Sequence, residues 1–131
     1  AMKGMKKALG TKEEANMLKN FIEKANLPHP MKASDNPLIN NGPSFKGRQF
    51  LYDDLDLLIN TNSLPTEIPL KSKLLIISGK KDAIVHPTVN QGLIKDLKEH
   101  LNNPITSWYL EEEGHSLFNY DLTPKIKDWL D

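Results

Sequence analysis

The chain has 131 residues, enough for one domain with one core. Its 17 basic and 17 acidic side chains give a formal net charge of zero, so there is no basic footprint for nucleic acid and no cationic face for anionic lipid. It has no cysteine, which excludes disulfides and thiolate chemistry and leaves only His and carboxylates for a zinc site. No apolar run approaches the roughly 18 residues of a membrane span, and no signal peptide is visible; together with the lack of cysteine this favours a cytoplasmic location.

Residues 1–10 are basic and expected to fray. Thr11-Lys12-Glu13-Glu14 reads as a capping box, in which Thr11 accepts the Glu14 N–H and Glu14 reaches back. Met17, Leu18, Phe21, Ile22 and Ala25 follow at helical spacing, which predicts a helix over 12–25 with one buried stripe, stopped by Pro28 and Pro30. From Leu27 to Lys46 the chain is rich in Pro, Asn and Gly and reads as a long loop. Gln49 to Asn60 is predicted helical, with Phe50, Leu51, Leu55, Leu58 and Ile59 on one face.

Leu74, Leu75, Ile76 and Ile77 form an apolar run that ends at Ser78-Gly79. It is too short for a buried helix and reads as a strand buried on both faces, as in a parallel sheet. Such strands place chemistry in the loop at their carboxyl end, and this loop carries Asp82. Pro87 suits the first position of a helix, which Val89, Leu93, Ile94, Leu97 and Leu101 continue on one face until Asn102-Asn103-Pro104. A second strand is predicted at Ile105–Leu110, followed by the acidic turn Glu111-Glu112-Glu113-Gly114 and then His115. Thr123-Pro124 opens a last helix with Ile126, Trp129 and Leu130 inward. The order strand, helix, strand, helix over residues 70–131 implies an α/β class with parallel strands.

The segment P-L-K-S-K-L-L-I-I-S-G-K-K-D-A-I-V-H-P resembles the seventh strand and acid loop of an α/β-hydrolase of esterase, lipase or thioesterase type. E-E-E-G-H-S-L-F is similar to the loop after the eighth strand of that fold, and Thr123–Leu130 to its closing helix. The resemblance covers about residues 66–131; residues 1–65 resemble only loosely the helical cap that many members insert. It implies a partial α/β-hydrolase fold: the last two strands as a short parallel sheet, flanking helices, and an amino-terminal cap-like region. It further implies that Asp82 and His115 are the acid and the histidine of a catalytic triad, in the family's chain order. No metal or organic cofactor is implied.

The family's nucleophile elbow, G-x-S-x-G, has no counterpart. Gly42-Pro43-Ser44-Phe45-Lys46-Gly47 lacks the second glycine at the required spacing and no strand precedes it; Ser78 lies within a strand end and Ser116 adjoins the histidine. The resemblance therefore points to the carboxyl-terminal half of a serine hydrolase acting on a small acyl substrate, with no nucleophile of its own and inactive alone. The alternative is a non-catalytic module that keeps the half-sheet as an interaction surface. The edge of the Leu74–Ile77 strand that a sixth strand would cover is expected to meet the missing amino-terminal half, a second copy of this chain, or residues 1–69 folded back.

Several residues admit plainer readings. Asp82 alone fits a turn aspartate after a strand, and His115 alone an exposed loop histidine. His29, His86 and His100 lack paired metal-ligand spacing and read as surface histidines. Glu111-Glu112-Glu113 reads as a solvated acidic turn, and Trp108 and Trp129 as packing residues.

Overall fold

The computed structural model describes residues 1–31, 35–65, 67–117 and 121–131. Part of the 27–46 segment, Thr66 at the boundary of the two expected regions, and Phe118 at the end of the His115 motif lie outside the described residues. In chain order the elements are α1 (Met2–Ala8), α2 (Glu14–Asn26), α3 (Pro37–Asn41), α4 (Phe45–Asn60), β1 (Leu74–Gly79), α5 (Pro87–His100), β2 (Ile105–Leu110) and α6 (Thr123–Leu130). Helices with one short parallel sheet make this a small α/β chain. It divides into two units, residues 1–24 with 31–67, and residues 25–30 with 68–131.

In the first unit the expected fray at the amino terminus is instead helix α1. Met, Lys and Ala are good helix formers, and Lys6 and Lys7 in its last turn suit the negative end of the helix dipole. Against α4, the Lys6 ammonium pairs with Asp56 and sits 4.2 Å above the Tyr52 ring. The capping box forms in altered shape. Thr11 Oγ1 accepts from the Glu13 N–H at 3.2 Å rather than from Glu14, and Glu14 Oε2 accepts from the Gly10 N–H at 2.6 Å. The cause is Arg48 on α4, whose Nε and Nη2 donate to the two Glu14 oxygens at 2.5 and 2.8 Å and fix the carboxylate. Leu18 and Ile22 of α2 are buried, as their spacing predicts.

The 27–46 segment is not a plain loop. It contains α3, with Asn36 capping the Leu38 N–H at 2.9 Å, and it yields Phe45 and Lys46 to α4. Helix α4 starts earlier than its apolar pattern predicts because Ser44 caps it, Oγ accepting from the Gly47 N–H at 3.0 Å. Its covered face is also narrower than predicted. Leu51, Leu55 and Ile59, four apart, are half-buried, while Phe50 and Leu58 are exposed.

In the second unit β1 and β2 pair in parallel, Leu74 opposite Ile105 through Gly79 opposite Leu110. Helix α5 joins them, in the strand–helix–strand order the sequence predicts. Leu97 is its buried anchor; Val89 and Leu93, expected on the same face, are exposed. The buried Asn103 closes the far end, its amide donating to the Pro69 and Ser72 carbonyls at 2.9 and 2.8 Å. Helix α6 is tied to β2 by the Trp129 indole, which donates to Thr106 Oγ1 at 3.1 Å. Leu130, predicted inward, is exposed.

The strand read as buried on both faces is only partly so. Leu74–Ile77 are half-buried and only Ser78 and Gly79 are sealed. The reason is the size of the sheet: among the described residues β1 bonds a neighbour strand along one edge only. No helix among the described residues is long and apolar enough to cross a membrane.

Candidate functional site

The sheet brings two loops together at its carboxyl end. Gly79 ends β1 where there is no room for a side chain: a Cβ there would lie 2.2 Å from the carbonyl oxygens of both Glu113 and Gly114. The bonding pattern of the sheet continues beyond the strands. The Lys80 N–H donates to Leu110 O and the Lys81 N–H to Glu113 O, each at 2.9 Å. Outside these, the Lys80 and Lys81 ammoniums pair with Glu111 and Glu112. Those pairs are exposed and contribute little energy; the backbone bonds set the register of the loops.

Asp82 follows directly. Its Oδ1 accepts from the Ile84 and Val85 N–H groups at 2.7 and 2.8 Å, a local turn that fixes the carboxylate. Its Oδ2 meets His115 Nδ1 at 2.9 Å. The Asp82 side chain is 6% exposed and that of His115 39%. Burial pushes the Asp82 carboxyl up, but hydrogen bonds from Val85, the His115 ring and Ile84, with the His115 charge, outweigh it and hold the carboxyl below its ordinary range. An ionised carboxylate only accepts, so the hydrogen between the two residues belongs to Nδ1. In the neutral ring Nε2 then carries the lone pair, and no described residue hydrogen-bonds to it. The arrangement can take a proton from a hydroxyl or thiol brought to Nε2 and stabilise the resulting imidazolium.

The structure thus places Asp82 and His115 together, as their positions after the two strands suggest. It places none of the weighed serines on the imidazole: among the described residues no serine hydroxyl bonds to His115. Ser44 is the α4 cap. Ser78 is buried, its hydroxyl without a hydrogen-bond partner among the described residues. Ser116 donates its N–H to Ala25 O at 2.8 Å.

The other histidines have local roles. His86 caps α5, Nδ1 accepting from the Thr88 N–H at 3.3 Å. His100 Nδ1 donates to Asp96 O at 2.8 Å. His29 is exposed, as the sequence reading has it, but its Nε2 lies 3.3 Å from Glu113 Oε1. The acidic turn is likewise only two-thirds solvated. Glu111 and Glu112 are exposed, but Glu113 is 6% exposed. Sequence reasoning missed both because their meeting depends on residues 25–30 lying against the His115 loop, which no local pattern announces. No group of three or more His, Asp or Glu side chains converges on a metal position among the described residues. Within the first unit a cavity of about 630 Å³ opens between α3 and the start of α4, walled by Leu38, Pro43, Phe50 and Leu51, with Asp54 at its edge. No family model matches the chain, and no curated protein or solved structure is found similar to it.

Proposed function

We propose that the chain is the carboxyl-terminal part of a serine hydrolase that cleaves esters or thioesters, with Asp82 and His115 as the acid and base and the nucleophile supplied by polypeptide outside these 131 residues. The observation that carries the reading is the 2.9 Å contact between Asp82 Oδ2 and His115 Nδ1, with Nε2 left open. In the reaction His115 Nε2 accepts the serine proton as the serine oxygen adds to the acyl carbonyl. It then returns that proton to the departing alcohol or thiol, leaving an acyl-enzyme. Water repeats the sequence and releases the acid. Asp82 holds the ring in the productive tautomer and offsets its transient positive charge.

The test uses two proteins. The 131-residue chain alone is expected to turn over no p-nitrophenyl ester. The full gene product is expected to do so, to be labelled covalently by a fluorophosphonate, and to lose about 10³-fold or more in rate on His115→Ala. Turnover by the chain alone that vanishes with His115→Ala would place the nucleophile within it and turn attention to Ser44 and Ser116. A full product with neither turnover nor labelling would favour the second reading, an interaction module, which draws support from the single-sided pairing of β1.

A further inference from the structure

Glu113 is a buried acid with an incomplete set of partners. Its side chain is 9% exposed; Oε1 faces His29 Nε2 at 3.3 Å and Oε2 has no hydrogen-bond partner among the described residues. A buried acceptor left without a partner carries an uncompensated desolvation cost. The one side chain paired with it among the described residues is His29.

His29 belongs to a segment that touches the His115 loop in two further places. The Ser116 N–H donates to Ala25 O at 2.8 Å. The Leu27 carbonyl lies so close to Gly114 that a Cβ there would come within 1.7 Å of its oxygen. Residues 113, 114 and 116 each lie against residues 25–30, and His115 stands between them in the chain. Its ring is presented to Asp82 from a loop clamped on both sides.

We infer that His29 and Glu113 are positioning residues for His115: their ion pair clamps residues 113–116 onto residues 25–30 and so keeps the His115 ring on Asp82. The inference rests on reading Asp82 and His115 as the catalytic pair. Glu113 faces His29 directly. Glu112 is also within its field, since its carboxyl is held low first by Lys81 and in smaller part by His29. Beyond these the adjoining turn contributes the pairs Lys80–Glu111 and Lys81–Glu112, and Asp82 with His115 itself.

Proton and nitrogen NMR on the 131-residue chain reads the clamp without any turnover. The signals are the His115 Hδ1 resonance and the exchange of the Ser116 amide, corrected for the intrinsic pH dependence of exchange. His29→Gln should lower Ser116 protection about tenfold and broaden the Hδ1 resonance. His29→Lys, which keeps a nitrogen donor opposite Glu113, should restore protection. The amides of Leu74–Gly79 report that each variant is folded. Ser116 protection and Hδ1 unchanged in both His29→Gln and Glu113→Gln would overturn the inference. If Glu113→Gln does not fold, His29→Gln, at a half-exposed position, decides alone. A failed hydrolase assay leaves this result standing, and an unchanged Hδ1 leaves the esterase test untouched.

Discussion

Each of the two units is organised around one well-satisfied carboxylate, and the two differ in what satisfies it. In the first unit Glu14 gives both oxygens to the Arg48 guanidinium and one also to the Gly10 N–H. In the second, Asp82 gives one oxygen to two backbone N–H groups and the other to the His115 ring. A guanidinium never releases its proton under ordinary conditions, so Glu14 and Arg48 form a clasp and nothing more. An imidazole has a second nitrogen that can carry either a lone pair or a proton, which is what the role proposed for His115 beside Asp82 requires. Carboxylate saturation alone does not mark a site; the nature of the partner does.

The steric setting separates the two regions most sharply. Gly114→Ala in the His115 loop would drive a Cβ into the Leu27 carbonyl. It is expected to lower stability by about 3 kcal/mol or more, measured by urea unfolding. A loss below about 1 kcal/mol would mean that the loop shifts freely and that the clamp is soft.

Next in size is Asp82 itself. Asp82→Ala removes the acceptor of Ile84, Val85 and His115 together and should destabilise by about 2–3 kcal/mol. Asp82→Asn can keep Oδ1 for the two N–H groups, so it should recover about half of that loss while the His115 Hδ1 signal still moves. Equal losses in the two variants would deny the turn its share.

Acid sharpens the comparison from the other side. At Glu14 the Arg48 hydrogen bonds, opposed by burial and helped by Gly10, hold the carboxyl below its ordinary range. Both Glu14 and Asp82 are thus easier to protonate in the unfolded chain than in the folded one. Their contributions are complete above the ordinary carboxylate range and are lost as pH falls through the lower folded values. Unfolding midpoints between about pH 6 and 3 should decline, and Glu14→Gln should flatten that decline. Only in the second unit should the His115 Hδ1 signal vanish in step. The smallest effect belongs to Gly4 in α1, where a Cβ meets nothing within 4 Å. Gly4→Ala should raise stability by about 0.5 kcal/mol, the reverse of Gly114→Ala.

What the sequence discloses here follows the range of the forces involved. The limits of β2 and α6, and the start of α5 at Pro87, are legible because their start and stop residues are adjacent: Asn103-Pro104 and Thr123-Pro124 act within one turn of chain. The meeting of Asp82 with His115 is legible for a related reason, since parallel pairing of β1 and β2 carries both loops to one end. Helix α1 escapes notice because no apolar stripe marks it and its hold on α4 comes through Lys6, a residue that reads as solvent-facing. Glu113 escapes because three glutamates in a row look alike until one is covered. The narrow face of α4, likewise, reflects how much of it finds cover, which spacing alone does not record.

The contact between Leu27 and Gly114 carries a consequence for how this sequence can vary. Where a carbonyl occupies the volume of an absent side chain, the two positions cannot drift separately. Any replacement of Gly114 demands a withdrawn backbone at Leu27. Any change that pushes that backbone outward, an insertion near Pro28 for instance, lengthens the reach from Ala25 to Ser116. Positions far apart along the chain therefore form one heritable unit. Covariation among residues 25–30, Gly79 and Gly114 would trace the outline of the His115 loop more faithfully than the histidine itself.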